Sequence, residues 1–160
     1  MGEKGLIYYF IAIAVIALDQ ITKYFVVRYM DIGESIPLID NVLYLTSHRN
    51  AGAAFGILQG QMWLFFIATI IVVSIIVYLM ISQVQGSKWF GTSLGLVLGG
   101  AIGNFIDRML AGEVVDFIDV FIFAYNYPIF NVADMALVTG VIMMMIHFIK
   151  EDRKEKKQGK

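Results

Sequence analysis

The residues of this chain best suited to chemistry are two aspartates, Asp116 in a Val-Val-Asp-Phe stretch and Asp134 in a Phe-Asn-Val-Ala-Asp stretch. Each sits in or beside sequence apolar enough to live in lipid. An ionised carboxylate there is costly, so it needs a partner, a proton or a task. Two carboxyl groups held close together cannot easily both ionise, and they share a proton instead. One, as base, can take a proton from a water that attacks a peptide carbonyl. The other, as acid, protonates the developing oxyanion or the leaving amine. Taken singly, each Asp reads equally well as a capping or surface residue. The pair gains meaning only if the fold brings both to one place.

The elements that must do so are membrane spans. The chain has 160 residues, of which 59% are apolar, and a mean hydropathy of +0.74. That apolar share exceeds the roughly 45–50% of soluble globular domains. A bilayer core about 30 Å thick needs about 20 mostly apolar residues per helix, and four stretches supply them: residues 6–29, 62–82, 89–108 and 129–149. Lys4 and the run through Leu18 resemble a secretory signal, but apolar sequence resumes after Lys23, so the first stretch reads as a retained span. With no cysteine present, disulfides, thiol nucleophiles and Cys-ligated zinc are excluded. The net charge of −1 identifies no partner. The basic tail also carries Glu151, Asp152 and Glu155, and no basic groove with aromatics accompanies it, which argues against nucleic acid.

Positive charge sets the orientation. Lys4, Lys88 and the tail residues Lys150, Arg153, Lys154, Lys156, Lys157 and Lys160 make eight cations on one side; Lys23, Arg28, Arg49 and Arg108 lie at or beyond the opposite ends. The positive-inside rule places both termini in the cytoplasm. Two outer connections result, residues 30–61 and 109–128, with a cytoplasmic tail at 150–160. The first is too long for a simple hairpin and must fold over the membrane surface. Within it, 35–39 and 42–46 read as short strands and 51–58 as a short helix; VVDFIDVFIF in the second connection is strand-like. The expected fold is thus an all-α membrane protein, one domain of four transmembrane helices with a small extracytoplasmic β-containing loop subdomain over the outer face.

In this arrangement the polar residues converge. Asp19 and Lys23, Asn104 and Arg108, and Asn131 and Asp134 all fall at the outer ends of their spans, while Asn50 and Asp116 lie in the outer connections. Asn104 and Arg108 are i,i+4 and Asn131 and Asp134 are i,i+3, so each pair shares a helix face. Asp19 and Lys23, also i,i+4, read at least as well as a buried structural ion pair as they do as catalysts. Asn50, Asn104, Arg108 and Asn131 could hold a substrate backbone, orient the aspartates or simply bond helix to helix. Asp107 lies off the Asn104–Arg108 face and reads as a helix-end or loop contact; Asp119 and Glu113 read as loop charges. Gly91, Gly95, Gly99 and Gly103 form a small-xxx-small ladder suited to helix packing. Gly100, one turn below Asn104, leaves room for a neighbour or a substrate.

Competing chemistries find little support. His147 lies about 20 Å deeper than Asp134 at ~1.5 Å per residue, so it cannot join His48 in one metal site, and no His-Glu-x-x-His motif is present. A triad through His48 lacks a nucleophile elbow, and a Ser47–Lys23 pair has no supporting spacing.

These residues carry a family resemblance. DQITK from Asp19, NAGAAFG from Asn50, GGAIGNFIDR ending at Arg108, VVDF around Asp116 and FNVAD ending at Asp134 resemble the blocks of the bacterial lipoprotein signal peptidases (signal peptidase II), in family order. Phe105 stands where many members have Leu. The resemblance implies a multi-pass aspartic endopeptidase of the bacterial cytoplasmic membrane, working without cofactor or metal among membrane phospholipid. It would cut diacylglyceryl-modified prolipoproteins just before the lipidated cysteine. Asp116 and Asp134 would be its dyad, with Asn50, Asn104, Arg108 and Asn131 lining the site and Asp19, Lys23, Gly52 and Gly100 in supporting positions. It also implies block by cyclic peptide antibiotics such as globomycin. Two other readings compete: a transporter or proton relay, which predicts charges at several depths or inverted repeats, and a non-enzymatic lipid-binding or scaffold protein.

Overall fold

A computed structural model describes residues 3–52, 60–82, 87–123 and 125–157. The chain runs α1 (Glu3–Tyr29), β1 (Ser35–Ile39), β2 (Leu43–Asn50), α2 (Met62–Ser82), α3 (Lys88–Ala111), β3 (Val114–Ile122), β4 (Tyr125–Asn126) and α4 (Val132–Lys157). All four helices among the described residues are long and apolar enough to cross a membrane. The short helix expected over 51–58 falls almost wholly outside the described residues.

α3 is the hub: it packs against α4, α1 and α2. It is buried along most of its length, whereas little of the other three is fully buried and many of their large apolar side chains face outward. Outward-facing Ile, Val, Leu and Phe at this density suit lipid, not water. The glycines of α3 explain how it can occupy the centre. A Cβ at Gly99 would lie 2.8 Å from the Ala12 carbonyl of α1, and one at Gly100 would run into the Ala133 carbonyl of α4. So the room left by Gly100 is taken by a neighbouring helix. Ser87 caps the start of α3 by accepting from the Phe90 N–H, and Gly112, in the left-handed region at φ 77°, ends it by donating to the Arg108 carbonyl. One apolar core, including Tyr8, Ile76, Phe90 and Leu94, lies among α1, α2 and α3.

A second core, of Val26, Met30, Val115 and Phe117, joins the far end of α1 to the sheet. The strands pair in the order β1-β2-β3-β4, with β1–β2, β2–β3 and β3–β4 all antiparallel. β2 runs on to Asn50, past the expected 42–46, because His48, Arg49 and Asn50 pair with Asp116, Val115 and Val114. β3 opens with four buried residues in succession, Val114 to Phe117, so Asp116 sits inside an apolar strand. The backbone of Phe130 pairs with Ile118 and also accepts from the Phe117 N–H. This extended pairing delays the start of α4 to Val132, three residues after the apolar stretch begins. At its other end α4 continues to Lys157, so most of the expected tail is helix. Its surface carries exposed Glu151–Lys154 and Asp152–Lys156 pairs.

Candidate active site

Asp134 owes its position to the way α4 begins. Asn131 is the cap: its Oδ1 accepts from the Asp134 N–H at 2.9 Å, and Asp134 Oδ2 accepts in return from the Asn131 N–H at 3.3 Å. This reciprocal pair is a capping box, in which each side chain satisfies an amide the first turn leaves open. Asp134 is thus both a cap residue and a member of the polar cluster. Asp116 arrives from β3, and the Asn131 amide reaches it, donating from Nδ2 to Asp116 Oδ1 at 2.7 Å. One fully buried side chain therefore joins the segments carrying both carboxyls.

The remaining oxygens are also engaged. Asn50 donates to Asp116 Oδ2 at 3.0 Å, its own orientation fixed because its Oδ1 accepts from the Gly52 N–H at 3.0 Å. Asn104 donates to Asp134 Oδ1 at 2.7 Å. Its own oxygen accepts from Lys23 at 3.0 Å and from Asn131 at 3.0 Å, which leaves only the NH2 end to face Asp134. Arg108 donates to the Gly52 carbonyl at 3.3 Å and stacks 4.4 Å from the Phe65 ring of α2.

Asp116 and Asp134 line one cavity of about 710 Å³, together with Asn50, Gly52, Asn104 and Arg108. Burial pushes the Asp116 carboxyl up to about 6; the nearby Asp134 adds to the rise, while hydrogen bonds from Asn50 and Asn131 and the charge of Lys23 oppose it. An acid in that range can hold or release a proton near neutral pH, as general acid–base chemistry requires.

Several other polar and small residues stand outside the cavity wall. Asn131 lies behind the carboxyls and is not part of the cavity wall. Gly100 faces α4, and Asp19 and Lys23 pair at 2.8 Å away from the cavity. The Ser47–Lys23 pair does not form: Lys23 bonds to Asp19, Asp107 and Asn104, and Ser47 accepts from Arg49 at 3.3 Å. Asp107 is more than a helix-end contact, being a buried partner of Lys23 at 2.7 Å. Asp119 is no loop charge. It is buried in β3, with one oxygen accepting from Thr46 at 2.9 Å and the other without a partner among the described residues.

Similarity to known proteins decides the family. A model of the family described as signal peptidase (SPase) II matches residues 11–150. A lipoprotein signal peptidase of Halalkalibacterium halodurans is 61% identical over 153 residues, covering 96% of this chain and 98% of that one. The chain belongs to the signal peptidase II family. Two solved structures, each described as a bacterial membrane enzyme structure obtained by the in meso method, agree with its fold. One, at 2.3 Å resolution, is 47% identical with a TM-score of 0.88, covering 92% of this chain and 90% of that one. The other, at 1.9 Å, is 49% identical with a TM-score of 0.83, covering 89% and 92%. As a family member the chain is a peptidase and a multi-pass membrane protein.

For a signal peptidase II the cavity is wider than the quoted motifs alone outline. Tyr127, Pro128 and Ile129 form part of its wall, as do Leu137 and Val138. The last two stand three and four residues beyond Asp134, on its helix face, so spacing could have found them. Tyr127 and Pro128 carried no such signal, since only the folding of the segment before α4 against β3 turns them toward the carboxyls.

Proposed function

We propose that this chain is an aspartic endopeptidase that removes the signal peptide from diacylglyceryl-modified prolipoproteins, cutting before the lipidated cysteine. The observation that carries the reading is the meeting of Asp116 and Asp134, from a strand and a helix start, on one cavity with a shared Asn131 link. The ionised carboxylate takes a proton from water as the water oxygen attacks the scissile carbonyl carbon. The protonated carboxyl gives its proton to the carbonyl oxygen. Collapse of the tetrahedral intermediate breaks the C–N bond, and the amine leaves with a proton returned by the pair. Asn50, Asn104 and Asn131 hold the two carboxyls for this exchange, and Arg108 holds the Gly52 segment at the cavity wall.

The proposed setting is the bacterial cytoplasmic membrane, with both termini inside and the cavity near the outer face. There the diacylglyceryl chains stay among membrane phospholipid while the peptide bond reaches the carboxyls. A cavity of about 710 Å³ is also of a size to accept a cyclic peptide inhibitor such as globomycin. Purified protein incubated with a lipidated prolipoprotein tests the reading. Asp116→Asn and Asp134→Asn should each lower cleavage by at least about 10³-fold while folding normally, a loss on the scale of removing a principal acid–base group. Unchanged cleavage in either variant refutes the dyad.

A further inference from the structure

Behind the cavity lies a buried charge cluster that takes no part in the acid–base scheme: Asp19, Lys23 and Asp107, exposed by only 0%, 3% and 8%. None of the three lines the cavity. Lys23 sits between the carboxylates, 2.8 Å from Asp19 Oδ2 and 2.7 Å from Asp107 Oδ2, and gives its third hydrogen bond to Asn104. A buried lysine with all three donors engaged has no proton to offer a substrate. Its surroundings are structural, and what they hold is specific.

Each carboxylate accepts from one distant backbone N–H. Asp107 Oδ2 accepts from Val115 N at 3.2 Å, and Asp19 Oδ1 accepts from Ala133 N at 2.9 Å. Val115 immediately precedes Asp116, and Ala133 immediately precedes Asp134. The two anchor points are therefore the backbone N–H groups one residue before each of the two candidate catalytic residues. Hydrogen bonds to an ionised acceptor are shorter and roughly twice as strong as neutral ones, and Asp19 also meets the positive end of α4. Gln20 braces the arrangement by donating to Asp107 Oδ1 at 2.8 Å and to Asp19 Oδ2 at 3.3 Å.

We infer that Asp19, Lys23 and Asp107 form a clamp whose function is to fix the separation of Asp116 and Asp134 through the backbone N–H that precedes each of them. One cation gathers two carboxylates, each carboxylate holds one strand or helix start, and the gap between the dyad members is set from behind. The same lysine orients Asn104 toward Asp134. The clamp residues are positioning residues, and the inference rests on the two-aspartate reading above.

Turnover of a lipidated prolipoprotein by detergent-purified enzyme tests it, with Asp116→Asn and Asp134→Asn as controls. Asp107→Ala should lower kcat per folded molecule on the order of 10²-fold, the scale of an ångström-size misplacement, with KM unchanged because Asp107 does not touch the cavity. Asp107→Asn keeps an oxygen for Val115 N–H and Lys23, so it should recover kcat to within about tenfold of the parent. A folded Asp107→Ala enzyme with kcat within about twofold of the parent overturns the clamp, as does a loss that Asn fails to recover. Should Asp107→Ala not fold, amide hydrogen exchange on the unsubstituted protein decides. Val115 and Ala133 should be protected as strongly as the core of α3, and exchange as fast as in an exposed turn overturns the clamp. Active Asp116→Asn or Asp134→Asn enzyme would instead sink the dyad reading. Inactive controls beside a fully active Asp107→Ala would sink the clamp alone.

Discussion

At Asp116, burial in an apolar strand outweighs the two amide donors that favour its ionised form, and the carboxyl is pushed up to about 6 from 3.8. The sign of the consequence follows from proton counting. Between those values the folded protein binds a proton that the unfolded chain has released. The stabilisation is therefore complete below about pH 4 and is lost as pH rises toward 6, by about 3 kcal/mol at most. Unfolding in detergent should show that slope in the parent and not in Asp116→Asn. The same proton bears on catalysis: kcat/KM should fall above about pH 6 as the shared proton leaves the pair. A rate flat from pH 5 to 8, with chemistry limiting, contradicts proton sharing. Residue types and positions thus said much about this site, since Asn50, Asn104, Arg108, Asp116 and Asp134 all meet at one cavity. Asp107 was read too simply because its partners, Gln20 and Lys23 of α1 and the Val115 amide, lie on other elements. Helix-face geometry covers only neighbours within one helix. Asp119 was misjudged for a related reason: strand pairing with β2, not local polarity, buries it.

The start of α4 joins fold to site more tightly than any other element. Hydropathy counts Ile129 and Phe130 as span, yet the Phe130 backbone is committed to β3, and the helix begins only where Asn131 can cap it. The Asn-x-x-Asp spacing, read from sequence only as one shared helix face, is a capping box in the fold, and it coincides with the candidate acid–base residue, so one motif serves two purposes. Substitution can separate them. Serine caps helices nearly as well as asparagine, whereas alanine does not, a difference of about 1 kcal/mol. Asn131→Ser should therefore be more stable than Asn131→Ala by about that amount in a thermal or denaturant assay. Both variants should lose most cleavage activity, because neither supplies the amide that reaches Asp116. Equal stability of the two would argue that the cap contributes nothing. Full activity in the serine variant would remove Asn131 from the machinery. The spans themselves were plain in sequence, because apolar runs of this length have few alternatives. The continuation of β2 to Asn50 was not, because its pairing partner lies more than sixty residues away.

Across the whole molecule, buried charge is concentrated at one end of the helices, while the other end is filled by aliphatic and aromatic packing, including His147 stacked 4.6 Å from Phe90. A bilayer tolerates this division only if the polar layer lies near one interface, where water and the proposed lipid-anchored substrate can both reach the cavity. Packing does not set which interface; the positive-inside rule predicts that the basic residues do, six of which lie between Lys150 and Lys160. Because the chain contains no cysteine, single substitutions give a background-free test. Asp40→Cys, on the exposed turn between β1 and β2, should react with a membrane-impermeant maleimide in intact spheroplasts. Lys157→Cys should react only after the membrane is opened. Neutralising Lys150, Arg153, Lys154, Lys156, Lys157 and Lys160 leaves Lys4 and Lys88 on the proposed inner side against four cations on the other, and reverses the bias. Combined with Asp40→Cys, that neutralised tail should leave a measurable fraction of molecules with the introduced thiol shielded from the reagent, and cleavage activity should fall in proportion. Unaltered labelling would mean that insertion order or the folded sheet, and not the tail, holds the cavity at the outer face.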